Sequence, residues 1–233
     1  ANSAAAEDLT LTATRTTTVI PAGNNTAVAT AINSVGTPTG DMATLLGVLH
    51  SYTTSTAMDT AVSQLDPTNN GATAQASFNT VNQSIGAITG HLNQSGGGQQ
   101  GISTGDFWTD NGFWIKGIGN STEQDTRGGV NGYDATMWGT IAGMDGLVDP
   151  NTRLGFAGGY AKTDADNSGE EGGTQTDSYI GAIYFAYDDP SPWYGNFGFT
   201  FTWNDNDSTR DIPFVGRTAE AAFDSQAYTG FTD

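Results

Sequence analysis

One stretch between two tryptophans constrains the fold of this chain more than any other feature. Successive side chains of a β-strand point to opposite faces of its sheet. In this stretch one face carries Trp193, Gly195, Phe197, Phe199, Phe201 and Trp203, and the other carries Tyr194, Asn196, Gly198, Thr200 and Thr202. An apolar face with an aromatic residue at each end is typical of a strand that crosses a bilayer, because tryptophan and tyrosine favour the two membrane interfaces.

The same alternation recurs along the second half of the chain. Four further strands are predicted at 112–120, 133–148, 153–163 and 176–188, and a sixth begins near residue 222. The connections between them alternate between long polar or acidic segments and short turns such as Asp149-Pro150-Asn151-Thr152. Transmembrane barrels have long loops outside the cell and short periplasmic turns. The sequence therefore predicts an antiparallel meander that forms the first half of a transmembrane up-and-down β-barrel.

Charge and cysteine usage exclude several other classes of protein. The formal net charge is −18, which argues against nucleic-acid binding and against a basic patch for anionic lipids. The chain has no cysteine, so disulfides and thiolate metal sites are excluded. Much of the acidity lies in the predicted connections 164–171 and 204–222. We expect Asp164–Glu171 and Asp205–Asp211 at the same end of the sheet as the first long loop.

The first half of the chain is predicted to be mostly helical. A Thr-rich, β-prone lead-in spans Leu9 to Ile20, and short helices are expected near 27–35, after an Asp41 N-cap, and within 57–65. A longer helix over 72–93 has a stripe made of Phe78, Val81, Ile85, Ile88 and Leu92. Its opposite face is uncharged and polar, so we expect it to lie inside the barrel lumen with Lys116 nearby. A Gly-rich linker follows at 93–106.

Four motifs resemble a known family. They are the aromatic-x-Lys-Gly start at Trp114-Ile115-Lys116-Gly117, the Gly-Tyr-Asp at 132–134, the Gly-x-Asp at 143–145, and "RLGFAGGY" at 153–160. In this order the chain resembles the β-domain of autotransporters, the translocators of type V secretion, and the helical segments upstream resemble the linker that precedes such barrels. The resemblance implies an outer-membrane barrel with a helix through its pore and an N-terminal passenger outside the cell.

The resemblance also suggests three regions. Residues 1–26 would be the end of a passenger or a β-like lead-in, residues 27–105 a helical linker region with the pore helix, and residues 106–233 a partial barrel. Only five full strands and part of a sixth are predicted, whereas a closed barrel needs about eight. We therefore expect the barrel to be truncated at its C-terminus; the alternatives are that further copies of the chain complete it or that the sheet forms an open assembly.

The sequence predicts no catalytic, cofactor-binding or metal site. The segment "DADNSGEEGGTQ" begins like a calcium loop, but Gln175 stands where a bidentate glutamate is needed, so a solvated acidic loop is preferred. Neither His50 nor His91 has an acidic neighbour at ligand spacing. Some autotransporters cleave themselves at an asparagine in the pore, but Asn24-Asn25 and Asn69-Asn70 are interpreted as loop residues.

The function expected from these features is a non-enzymatic translocator and anchor in the bacterial outer membrane. Its expected partners are outer-membrane lipid, its own passenger segment, and also the outer-membrane assembly machinery or further copies of the chain. The alternative is a secreted structural or adhesive β-protein that self-assembles through its sheets. A requirement for detergent on extraction would distinguish the barrel from this alternative.

Overall fold

The computed structural model describes residues 25–65, 71–96, 111–127, 132–167, 172–188 and 194–233. These form two compact units that divide between Asp66 and Pro67. The first contains three short helices, and the second contains one long helix and a sheet. The β-prone lead-in, Asn24, Asn69-Asn70, Trp193, the Asp189-Pro190 turn and most of the Gly-rich linker lie outside the described residues.

The helical unit consists of α1 (Asn25–Asn33), α2 (Gly40–Ser51) and α3 (Ser55–Ser63). The Asn25 side chain of α1 donates to the Asp59 carbonyl of α3 at 3.2 Å. The prediction that Asp41 caps α2 is wrong, since the N-cap is Thr39 and Asp41 lies in the first helical turn. Gly40, at φ +60, starts the helix one residue before the predicted cap. Asp41 still favours the helix there, because an acidic side chain interacts well with the N-terminal end of the helix dipole.

The second unit is a meander of six antiparallel strands in the order β1–β6. The strands are β1 (Asn111–Gln124), β2 (Tyr133–Asp149), β3 (Thr152–Asn167), β4 (Gly172–Asp188), β5 (Tyr194–Ile212) and β6 (Arg217–Thr232). Each is longer than the 9–11 residues that a tilted strand needs to cross a bilayer. Among the described residues no ladder joins β1 to β6, so this sheet is open, as expected for part of a barrel.

The segment Asn204–Ala222, predicted to be an acidic loop, is instead a long hairpin. Strand β5 continues to Ile212, a 3₁₀ turn covers Pro213–Val215, and β6 pairs with β5 from Arg217 onward. The sixth strand therefore spans 16 residues, Arg217–Thr232. The high acidic content concealed a period-two pattern in which Asp205 and Asp207 lie on one face and Asn204 and Asn206 are buried on the other.

The register places the connections at two ends of the sheet. Residues 125–132, 168–171 and 213–216 connect strands at one end, here called the loop end, and residues 150–151 and 189–193 connect them at the other, the turn end. Asp164 and Asp207 pair near the loop end, with Gln175 and Ala222 respectively. The prediction that both acidic segments lie at the end of the first long connection is confirmed for Asp164–Asn167 and Asp205–Asp211, and residues 168–171 lie outside the described residues.

The long helix α4 (Gly71–Gly96) contacts all six strands on one face of the sheet. We call this the inner face and the opposite one the outer face. No helix within the described ranges is long and apolar enough to span a membrane.

Candidate functional site

The outer face carries a continuous band of exposed apolar side chains. The band includes Phe113, Ile115, Trp138, Met144, Leu154, Phe156, Tyr160, Tyr179, Ile183, Phe185, Tyr187, Phe197, Phe199, Trp203 and Tyr228. Large exposed apolar surfaces mark contact with a membrane or another protein. The prediction that the aromatic side of the 193–203 stretch points outward is confirmed for Phe197, Phe199 and Trp203, and Trp193 lies outside the described residues.

On β3, β4 and β5 the apolar band ends at one row of the sheet, whereas on β2 it reaches one row further, where Trp138 pairs with Lys162. Tyr160, Tyr179 and Trp203 are successive cross-strand neighbours in the register. Two residues further toward the loop end, the same outer face carries Asp177 paired with Asp205. Two bonds join these rows: the Trp203 indole donates to Asp205 at 2.9 Å, and the Tyr160 hydroxyl donates to Asp177.

The height of the band fits a membrane. From the row of Tyr187 and its partner Gly195 to that of Trp203, eight residues rise roughly 27 Å along the strand. At the tilt of barrel strands this corresponds to roughly 21 Å, close to the height of about 25 Å that outer-membrane barrels expose to lipid. A row of Tyr160, Tyr179 and Trp203 followed by carboxylates is the arrangement expected at the interface between the hydrocarbon core of a membrane and water.

The inner face is polar toward the loop end and is covered by α4. Ser178 donates to the Asn204 side chain at 2.7 Å, Thr176 donates to that of Asn206 at 2.9 Å, and Asn204 donates to Ser77 of α4 at 3.0 Å. The prediction that Thr200 and Thr202 face inward is confirmed. They are fully buried, so an arginine at Thr200 would collide with this packing.

The helix packs on the inner face largely through small side chains. Ala72, Ala76, Thr80, Ser84 and Ala87 are buried, together with Val81, Ile88 and Leu92 of the predicted stripe. Phe78 was predicted to belong to that stripe, but it is 61% exposed. The small side chains of α4 face similarly small ones of the sheet, such as Ala157 and Ala161, which lets the helix backbone approach closely. As predicted, Lys116 lies against the helix, and its Nζ donates to the Ala87 carbonyl at 3.1 Å.

A charged cluster joins α4 to the sheet near the turn end. The buried carboxylate of Asp145 on β2 receives hydrogen bonds from the Tyr184 hydroxyl at 2.8 Å and from the Arg153 guanidinium, and contacts His91 Nε2 at 2.7 Å. The Trp114 indole donates to the Tyr184 hydroxyl at 2.7 Å and stacks on the His91 ring with centroids 4.9 Å apart. We call these five residues the Asp145 cluster.

Two glycines make room for the aromatic members of the cluster. A Cβ at Gly143 would lie 2.6 Å from the Trp114 ring, and one at Gly155 would lie 2.3 Å from the Tyr184 ring. The Gly-x-Asp motif at 143–145 thus supplies the space for Trp114 and the carboxylate at the centre of the cluster.

We expect Gly143→Ala to lower the free energy of unfolding by about 1–3 kcal/mol, the usual cost of overpacking. Trp114 has little freedom to move away, because it is buried, hydrogen-bonded and stacked. Denaturant unfolding of the full-length protein in detergent micelles, followed by tryptophan fluorescence, measures the loss. Gly181→Ala is the matched control, since a Cβ at Gly181 meets nothing within 4 Å. Equal unfolding midpoints for the two variants would contradict the expected crowding.

Sequence reasoning did not find the Asp145 cluster. His91 was set aside because no acidic residue lies near it along the chain, yet Asp145 lies 54 positions away and in contact. The signal was present in two of the quoted motifs, since Asp145 ends Gly-x-Asp and Arg153 begins "RLGFAGGY". Among the described residues no group of three or more His, Cys, Asp and Glu side chains is arranged to hold a metal ion.

Comparison with known proteins agrees with this architecture. The Autotransporter beta-domain family matches residues 113–233. Outer membrane protein B of Rickettsia typhi (strain ATCC VR-144 / Wilmington) is 38% identical over 86 residues, which is 35% of this chain and 5% of that protein. Outer membrane protein B of Rickettsia prowazekii (strain Madrid E) is 38% identical over 77 residues, 33% of this chain and 5% of that protein.

A more distant relative covers more of the chain. The Extracellular serine protease of Serratia marcescens is 27% identical over 126 residues, 52% of this chain and 11% of that protein. The chain thus spans only a small part of each of these relatives. No solved structure matches it.

An apolar outer face, a polar inner face and a helix across that inner face define an outer-membrane β-domain of the translocating class. The chain belongs to the autotransporter β-domain family. The family and the outer-membrane relatives indicate that it is located in the bacterial outer membrane.

Proposed function

We propose that residues 106–233 anchor the protein in the outer membrane while residues 27–105, which include α4, connect the barrel lumen to a passenger outside the cell. Residues 1–26 would be the end of that passenger. The observation that carries this proposal is the position of α4 on the inner face, with its Ser77 end near the loop end and its Asn93 end near the turn end. A chain that leaves the lumen from the Ser77 end emerges at the loop end of the sheet.

This segment would have no enzymatic activity of its own. Its inner-face carboxylate, Asp145, has three hydrogen-bonded partners and is fully buried, so its role is to hold α4. Assembly machinery of the outer membrane and further copies of the chain are proposed as partners because β1 and β6 each leave one edge unpaired within the described sheet.

The secreted adhesive alternative is disfavoured by the boundary on the outer face. A sheet that packs on copies of itself has no reason to end its apolar surface at a row of Tyr160, Tyr179 and Trp203 followed directly by carboxylates. A membrane interface requires such a row.

The orientation can be tested with cysteines in the two kinds of turn. Pro213→Cys lies at the loop end and Pro150→Cys at the turn end, and both positions are exposed. In intact cells that make the full-length protein, we expect a membrane-impermeant maleimide to label Pro213→Cys and to spare Pro150→Cys. The chain has no native cysteine to compete.

Permeabilised cells serve as the control, since both cysteines should then react. Labelling of Pro150→Cys alone in intact cells would invert the orientation. Equal labelling of both in intact cells, together with extraction without detergent, would favour the secreted alternative.

A further inference from the structure

One side chain of α4 is ionisable, and all the others are not. Between Gly71 and Gly96, His91 is the only residue with an ionisable side chain. It lies near the C-terminal end of the helix and contacts the buried carboxylate of Asp145. His91 is therefore the side chain through which the helix can bring a charge of its own to the sheet.

Apart from Asn93, whose amide donates to the exposed Asp233 carboxylate at 3.3 Å, the polar side chains of α4 make neutral contacts that repeat along its length. Ser77 accepts from Asn204 at 3.0 Å, and Asn79 donates to Thr122 at 3.0 Å. Thr73, Thr80 and Ser84 present further hydroxyls at spacings of three or four residues, on the helix side that is buried. A helix moved by one turn would place similar small polar side chains against the same strands, so these contacts discriminate poorly between positions of the helix.

The site that binds His91 consists entirely of side chains from the sheet. Asp145, Arg153 and Tyr184 lie on three consecutive strands, and Trp114 on a fourth holds the Tyr184 hydroxyl. Two donors from the sheet already orient the carboxylate, and the indole of Trp114 offers a flat surface for an aromatic ring. The oriented carboxylate and the flat indole surface together suit a planar side chain that donates a hydrogen bond, and histidine is such a side chain.

We propose that the Asp145 cluster is a recognition site for His91 that sets the final position of α4 along the inner face. On this proposal, which rests on the proposed function of α4 as the lumen segment, a chain that moves outward along the inner face stops when His91 reaches Asp145. His91 is then a positioning residue, and the neutral remainder of the helix lets the chain pass until that contact forms.

The test moves the histidine by one helical turn. In the variant Ala87→His with His91→Ala, the site should bind residue 87, and the helix should shift by four residues, about 6 Å. A cysteine at Asn204 should then crosslink to Thr73→Cys, whereas in the parent it crosslinks to Ser77→Cys. Disulfide formation is measured in outer membranes from cells that make the full-length protein, with heat-modifiable migration as the check of folding.

Ala87→Phe with His91→Ala is the matched control, because it adds similar bulk at position 87 without a hydrogen-bond donor. We expect its crosslinks to be shared between the two positions. Transfer to Thr73→Cys in this control as complete as in the histidine variant would overturn the proposal. Retention of the crosslink at Ser77→Cys in the histidine variant would overturn it as well.

If the double variant fails to fold, single variants at His91 test whether this residue positions α4. His91→Gln keeps a donor and should retain the Ser77→Cys crosslink, while His91→Phe keeps the ring and loses the donor, and should spread the crosslinks. Identical crosslinks in the two would overturn the proposal. Absence of the Ser77–Asn204 crosslink in the parent itself would refute the placement of α4, and with it the proposed function.

Discussion

Replacing Phe199 with arginine is expected to lower the free energy of unfolding in a lipid bilayer by about 2–4 kcal/mol. Phe199 lies in the middle of the apolar band on β5, where the residue is 44% exposed and its ring centroid is 6.4 Å from that of Tyr228. A guanidinium at this depth loses its hydration without gaining a partner. Reversible unfolding by guanidinium chloride in liposomes, followed by tryptophan fluorescence, gives the difference.

Thr209→Arg is the matched control. It lies on the same strand and the same face, but beyond the Trp203 row and exposed near the loop end. Arginine near a membrane interface costs about 0–1 kcal/mol. Losses of equal size at the two positions would show that the outer face does not lie in hydrocarbon.

Replacing Asp145 with alanine is expected to cost about 3–5 kcal/mol, the range for breaking a buried ion pair by removal of one partner. The Asp145 side chain is fully buried, and its loss leaves the donors of His91, Arg153 and Tyr184 without their acceptor. Because the side chain of Arg153 retains 22% exposure and that of His91 16%, water can reach both partners, so we expect a loss near the lower limit. The same unfolding titration measures it.

Asp134→Ala is the control on the same strand, since Asp134 is exposed on the outer face near the loop end. We expect it to change the free energy of unfolding by less than about 0.5 kcal/mol. A double-mutant cycle with Arg153→Leu then isolates the contact between Asp145 and Arg153. Losses that add within about 0.5 kcal/mol would contradict the direct coupling seen in the structure.

Local alternation of apolar and polar residues was enough to predict which side chains of a strand share a face. Phe197, Phe199 and Trp203 were assigned to one face from alternation alone, and the structure confirms it. The error over Asn204–Ala222 had a definite origin, because acidic composition was interpreted as a loop. Beyond the membrane, water solvates the outer face of a strand, so Asp205 and Asp207 are compatible with a strand that continues past the bilayer.

The helix shows the limit of the same reasoning. Its existence and its uncharged polar side followed from the sequence, but Phe78 was assigned to the wrong side. Helical periodicity identifies a stripe of apolar side chains, but it does not determine which of them meet the sheet. The choice between Phe78 and its small neighbours was made by the sheet, where Ala157 and Ala161 favour a close helix with alanine, serine and threonine at the contact.

The sequence by itself determined that five strands follow one another in the second half of the chain and which of their side chains share a face, but not that β5 continues past Trp203. Each of these depends on a period of two and on residues adjacent in the chain. The tertiary structure alone decided the Asp145 cluster, whose members at positions 91, 114, 145, 153 and 184 lie on one helix and four strands. These five side chains come into contact only because of the register of three strand pairs and the position of α4 on the inner face. The strand register and the helix position are set by many weak contacts between residues far apart in the chain, and a local sequence pattern does not reveal them.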